Sequence, residues 1–90
     1  MSIEWQGDHK LLDASGEKQA FELELKRLGL DPDKFLVEVR RELGLPGAGG
    51  RQPTRYTVYI TDLAHPERET RKLHGGEGEN WIGQFAVRRR

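Results

Sequence analysis

Residues 54–61 read TRYTVYIT and show the most regular alternation of apolar and polar side chains in the chain. Alternation over roughly four to eight residues is typical of a β-strand with one buried face. The side chains predicted to point into the core are Tyr56, Val58 and Ile60. Those predicted to point toward water are Arg55, Thr57, Tyr59 and Thr61.

A more polar strand and a helix are predicted to follow. Residues 68–73 come after a His-Pro turn and indicate a second strand, at an edge of the sheet. Residues 75–79, GGEGE, predict a glycine loop. Asn80 can cap a final helix in which Trp81 and Phe85 lie one turn apart and face the core.

The segment 16–28 fits both a strand and a helix. Phe21, Leu23 and Leu25 alternate with charged residues as in a strand, whereas Phe21, Leu25 and Leu28 recur with the helical period. The composition is rich in Glu, Lys, Gln, Ala and Leu, which favours the helix.

Both ends of that helix carry their own signals. Ser15 is predicted to cap its start. Gly29 is predicted to adopt the left-handed conformation after its last turn, where Leu30 packs back and Pro32 prevents continuation.

The segment 35–42 is predicted to be a strand. Its alternating apolar residues, two of them β-branched, are Phe35, Val37 and Val39. A helix from Asp31 to Gly44 is the alternative. If the assignments of 16–28 and 35–42 are both reversed, the fold class is unchanged. The glycine- and proline-rich residues 43–53 predict a mobile loop.

Together these elements predict a single small α+β domain at 16–90, preceded by an N-terminal arm at 1–15 in which Ile3 and Trp5 could form a short edge strand. The predicted order is helix–strand–strand–strand–helix, with a three-stranded antiparallel sheet packed on two helices. The predicted core is Phe21, Leu25, Leu28, Phe35, Val37, Val39, Tyr56, Val58, Ile60, Trp81 and Phe85.

Charge is balanced overall but uneven along the chain. Fifteen basic and fifteen acidic residues cancel in a chain of 90. Residues 1–50 hold seven Lys/Arg against ten Asp/Glu, a balance of −3, and residues 51–90 hold eight against five, a balance of +3. This asymmetry can steer an encounter with a partner, and a net charge of zero permits self-association.

Composition excludes several classes of protein. The absence of cysteine excludes a disulfide framework, a thiolate zinc site and a cysteine nucleophile. No apolar run approaches the roughly 18 residues of a membrane helix, and the first residues lack a signal-peptide pattern. No membrane partner is therefore predicted, and the absence of cysteine fits a reducing compartment.

No recognisable catalytic or metal-binding pattern is present. His9, His65 and His74 lack the spacing of metal ligands. Ser2 and Ser15 lie outside any nucleophile motif, and the 43–53 loop lacks the Lys and hydroxyl of a phosphate-binding loop. The chain is predicted not to be an enzyme and to need no cofactor.

The C-terminal third carries one longer motif. Its residues spell R-x-L-x-x-G-x-G-x-x-W-x-x-x-F and are Arg71, Leu73, Gly76, Gly78, Trp81 and Phe85. The motif resembles the ending of a group of small bacterial proteins of no established function, over about residues 20–88, apart from the long loop at 43–53. This resemblance implies an α+β domain in a bacterial cytoplasm, and no activity.

The predicted element order also resembles that of double-stranded RNA-binding domains. Those domains hold phosphates with lysines at the start of the last helix. This chain has Glu77 and Glu79 there, which would repel phosphate. Nucleic acid is therefore the less favoured partner.

The outward side of the predicted sheet is the candidate interaction surface. Its residues are Arg55, Thr57, Tyr59 and Arg71. An aromatic ring among cations is typical of protein interfaces and of single-stranded nucleic-acid platforms, and it also fits an ordinary solvated sheet face. The main hypothesis is a non-enzymatic interaction module whose partner is another protein or itself. The alternative is a nucleic-acid-binding or transcription-related regulatory protein that uses this surface and the arginines at 88–90.

Overall fold

The structure is a computed structural model that describes residues 2–42, 55–76 and 79–89, with side chains up to Val87. The strands are β1 Glu4–Gly7, β2 Phe35–Glu42, β3 Arg55–Asp62 and β4 Arg71–Gly76. The α-helices are α1 Glu17–Arg27 and α2 Trp81–Arg89, and 3-10 turns span His9–Leu12 and Pro32–Lys34. The predicted loop at 43–53 lies outside the described residues, as do Glu77 and Gly78 of the predicted glycine loop.

The α+β class is confirmed, but the sheet differs from the prediction. It has four strands in the order β1-β2-β3-β4, and β1 runs parallel to β2 while the other pairs are antiparallel. The prediction of three antiparallel strands is therefore wrong. The additional strand comes from residues 1–15, which were predicted to be an arm with at most a short edge strand. Ile3 and Leu12 of that segment are buried in the core.

Gly7 ends β1 with the left-handed φ of 70°. The turn brings the amide of Asp8 to the carbonyl oxygen of Val39 at 2.7 Å. The amide of Arg41 donates to the Asp8 carboxylate at 3.2 Å. These two bonds attach the end of β1 to β2, so that the N-terminal segment is part of the domain.

The helix predicted at 16–28 is confirmed as α1, and its C-terminal signal is confirmed as well. Gly29 has φ 76°, and the amide of Leu30 donates to the carbonyl of Leu25 at 2.8 Å. The predicted Ser15 cap is wrong. Gly16 occupies the cap position, and the Ser15 hydroxyl donates instead to the carbonyl of Leu12 and to the Glu17 carboxylate.

The second half of the chain follows the predicted order with shifted boundaries. The strand predicted at 68–73 is β4 at Arg71–Gly76. Gly75, predicted to begin the loop, lies in this strand and pairs with Tyr56. Glycine suits this position because the Tyr56 ring fills the space that a Cβ would need. The predicted cap of the final helix is confirmed, since the Asn80 side chain accepts a hydrogen bond from the amide of Gly83 at 2.7 Å.

Both helices pack on one face of the sheet around Phe21. Its ring centroid lies 5.0 Å from that of Trp81, 5.1 Å from that of Phe85 and 6.3 Å from that of Trp5. The predicted core is confirmed except that Leu28 is partly exposed. The buried apolar residues that were not predicted are Ile3, Leu12 and Leu73.

Candidate interaction surface

The face of the sheet opposite the helices is called the outer face. Strand pairing aligns Gln6, Glu38, Tyr59 and Lys72 in one row across all four strands. The next row joins Arg40, Thr57 and His74. The described side chains of the outer face are Glu4, Gln6, Leu36, Glu38, Arg40, Glu42, Arg55, Thr57, Tyr59, Thr61, Lys72 and His74.

Tyr59 lies between two cations near the centre of this face. The guanidinium carbon of Arg40 is 4.7 Å from the centroid of the Tyr59 ring, and the Lys72 ammonium is 6.0 Å from it. Both distances are within the range of a cation–π interaction. Glu38 completes the cluster with an oxygen 3.3 Å from the Arg40 guanidinium. These contacts favour one position of the Tyr59 ring at the surface.

Thr57 was predicted to face water, but it is 1% exposed. Its hydroxyl donates to the Glu42 carboxylate and lies 3.5 Å from Nδ1 of His74. Neighbouring side chains therefore cover Thr57 from both flanking strands. It supports the outer face from beneath and offers no contact surface of its own.

Arg71 does not belong to the outer face, contrary to the prediction. It pairs with Ile60 on the helix side of the sheet, and its guanidinium carbon lies 4.4 Å from the centroid of the Phe85 ring. The sequence contained a signal for this placement. Residues two apart in a strand share a face, and the buried Leu73 follows Arg71 at that spacing.

Arg55 is exposed on the outer face as predicted, beside Glu42 on β2. The two cations that contact Tyr59, Arg40 and Lys72, were not among the predicted site residues. The alternation in β2 predicts that Arg40 points outward. Its contact with Tyr59, however, depends on the register in which β2 pairs with β3, which the alternation does not specify. The C-terminal arginines at 88–90 lie outside the described side chains.

A second polar cluster connects α1, β3 and α2 on the helix side. One carboxylate oxygen of Glu17, Oε1, accepts hydrogen bonds from the Tyr56 hydroxyl at 3.1 Å and from Trp81 Nε1 at 3.2 Å. The other, Oε2, accepts from the Ser15 hydroxyl at 2.8 Å. Burial raises the pKa of Tyr56 well above its ordinary value, and the negative charge of Glu17 raises it further. The cluster satisfies the polar ends of two core aromatic residues, and its role is structural.

Tyr56 is expected to make stability fall at high pH. Its folded pKa lies above the unfolded value of 10.0, so its contribution is fully present below about pH 10 and is lost as the pH rises further. Urea denaturation at pH 9 to 11 should show a steeper loss of stability for the wild-type protein than for Tyr56→Phe. Equal pH dependence of the two proteins would contradict this assignment.

The three histidines are dispersed. His9 accepts from the Lys18 ammonium at 2.7 Å, His65 lies 3.4 Å from Glu67, and His74 is on the outer face. Within the described part of the chain, no three His, Asp or Glu side chains are grouped to hold a metal ion. Neither described helix combines the length and apolar character that a bilayer crossing requires.

Compared with protein-family models, curated proteins and solved structures, the chain matches none. The resemblance of its C-terminal motif to small bacterial proteins stays a prediction. What the protein does is therefore inferred from the geometry of the described residues.

Proposed function

We propose that the protein is a small, non-enzymatic interaction module that binds a partner protein through the outer face of its sheet. The observation that carries this proposal is the position of Tyr59 between Arg40 and Lys72, on the face that the helices leave uncovered. Tyrosine and arginine are enriched among the residues that dominate protein interfaces. A cytoplasmic location is part of the same proposal.

The position of Tyr59 beside Arg40 and Lys72 supports binding. An interface side chain that is immobilised on binding costs about 0.5–1.5 kcal/mol of conformational entropy. The two cations already restrict the Tyr59 ring, and strand pairing fixes the backbone beneath it. Binding of a partner to this ring therefore costs less side-chain conformational entropy than binding to a mobile side chain would.

Nucleic acid binding is the second candidate, since an aromatic ring beside cations can stack on a base. Two features disfavour it. Arg40 lies over the Tyr59 ring where a base would stack, and Glu38 lies beside Arg40. In addition, Arg71, one of the cations predicted for this surface, lies on the other side of the sheet.

Photo-crosslinking in the native cell tests the proposal. A benzophenone amino acid at position 6 lies in the same row as Tyr59, and we expect it to form an adduct with another protein chain. Tyr59→Ala should reduce that adduct by about tenfold or more, as expected for a dominant interface residue.

The matched control places the same crosslinker at position 23. Leu23 is 65% exposed on α1, away from the outer face. Its adducts should be insensitive to Tyr59→Ala. The proposal fails if position 6 gives no adduct or if Tyr59→Ala leaves that adduct unchanged. Salt-sensitive retention on a single-stranded oligonucleotide column that is lost in Lys72→Glu would favour the second candidate.

A further inference from the structure

The outer face carries opposite charge on its two halves. Strands β1 and β2 present three carboxylates against one cation, a balance of −2, from Glu4, Glu38, Glu42 and Arg40. Strands β3 and β4 present Arg55 and Lys72, a balance of +2, and the described outer-face residues of these two strands include no carboxylate. A line parallel to the strands, between β2 and β3, thus divides the face into an acidic half and a basic half.

This division makes the face complementary to itself in one orientation. A two-fold axis that lies between β2 and β3, parallel to the strands, reverses the strand order in the second copy. The acidic half of each copy then faces the basic half of the other. Glu42 lies opposite Arg55 of the second copy, so two pairs of opposite charge form across the axis. Gln6 lies opposite Lys72 of the second copy, and Glu38 lies opposite its Tyr59. An axis across the strands would instead place like charges together.

We propose that the occupant of the outer face is a second copy of this chain, in the orientation that reverses the strand order. This inference rests on the proposed function and names its partner. Charge complementarity across the two halves favours this orientation over others. The zero net charge of the chain adds no overall repulsion between two copies.

The size of the face predicts a weak dimer. At about 4.8 Å between strands and about 3.3 Å per residue, the residues of β1 to β4 cover about 400 Å². Two copies would bury about 800 Å² in total, which is below the roughly 1,000 Å² of a stable specific interface and fits a weak, transient one. We expect a dissociation constant of about 10–100 μM, because the face is polar as well as small.

Sedimentation equilibrium of the full chain tests the inference. The wild-type protein should form dimers over a range of about 5–500 μM, with weaker association at high salt because the opposed charges are at the surface. Lys72→Glu should weaken association by about tenfold or more. Lys26→Glu makes the same charge change on an exposed part of α1, and it should leave association unchanged.

Engineered cysteines test the orientation, since the chain contains none of its own. In a mixture of Gln6→Cys and Lys72→Cys, a short bismaleimide linker should join the mixed pair about tenfold faster than it joins two copies of either variant. Only the mixed pair lies directly opposite across the interface, at the spacing of about 10 Å between stacked sheets, which is too wide for a direct disulfide. Equal rates for the three pairs would overturn the orientation.

The outcomes separate this inference from the proposed function. A protein that is monomeric at about 500 μM, or a dimer that Lys72→Glu does not affect, overturns the second-copy inference. If the position 6 crosslinker then captures a different protein in a Tyr59-dependent manner, the proposed function stands with another partner. If it captures none, both are wrong.

Discussion

Replacing Trp81 with alanine is expected to destabilise the domain by about 3–5 kcal/mol. The side chain is fully buried, and its ring centroid lies 5.0 Å from that of Phe21. Its Nε1 also donates to Glu17, which would lose one of its hydrogen-bond donors. A domain of this size has a total stability near the lower end of about 5–15 kcal/mol, so the variant should be largely unfolded at moderate temperature. Urea denaturation followed by far-UV circular dichroism measures the loss.

Two further variants test the Trp81 prediction. Val87→Ala changes a residue of the same helix that is 74% exposed, and it should alter stability by less than about 0.5 kcal/mol. Trp81→Phe keeps an aromatic ring but loses the N–H donor, and it should fold with a loss of about 1–2 kcal/mol. If Trp81→Ala unfolds at the same urea concentration as the wild-type protein, Trp81 does not anchor the core.

Replacing Gly7 with alanine is expected to lower the free energy of unfolding by about 3 kcal/mol. A non-glycine residue in the left-handed conformation costs about 1–2 kcal/mol, and Gly7 has φ 70°. In addition, the new Cβ would overlap the carbonyl oxygen of Val39, and overpacking of this kind costs about 1–3 kcal/mol. The carbonyl cannot move away easily, because it accepts the hydrogen bond from the amide of Asp8.

Gly29→Ala is the matched control for the steric part of this effect. Gly29 has a similar φ of 76°, but no atom lies within 4 Å of its Cβ position. The Gly29→Ala variant should therefore lose only the stability that the left-handed conformation costs, about 1 kcal/mol. Equal losses for the two variants in urea denaturation would mean that Gly7 does not approach β2 closely, and that the N-terminal segment is not docked as described.

The elements with strong local signals were predictable from the sequence. In β3 the alternation of eight residues identified both the strand and its inward side chains, because burial of one face requires that period. For α1, the helix-forming composition predicted the structure better than the strand-like alternation of Phe21, Leu23 and Leu25. Leu23 is exposed, as expected for a residue off the apolar face of a helix. Trp81 and Phe85 were placed in the core by their helical spacing.

The candidate site was only half predictable. Tyr59 and Arg55 follow from alternation within one strand. Arg40 and Lys72 reach Tyr59 through the register of β2, β3 and β4, which depends on pairs of residues distant in the sequence. The side of the sheet that Arg71 occupies has only a weak signal in the sequence, because Leu73 is the single apolar side chain of β4 and one residue does not establish an alternation.

Local sequence thus determines the helices, the two long strands and the outward position of Tyr59, because side-chain periodicity and backbone propensity act over a few neighbouring residues. Tertiary structure decides the fourth strand, the strand register and the side of the sheet that Arg71 occupies. In β1 four residues carry too little alternation to specify a strand, and their stability comes from pairing with β2 and from the burial of Ile3 beside them. Those contacts exist only once the distant parts of the chain have come together, so no local pattern encodes them.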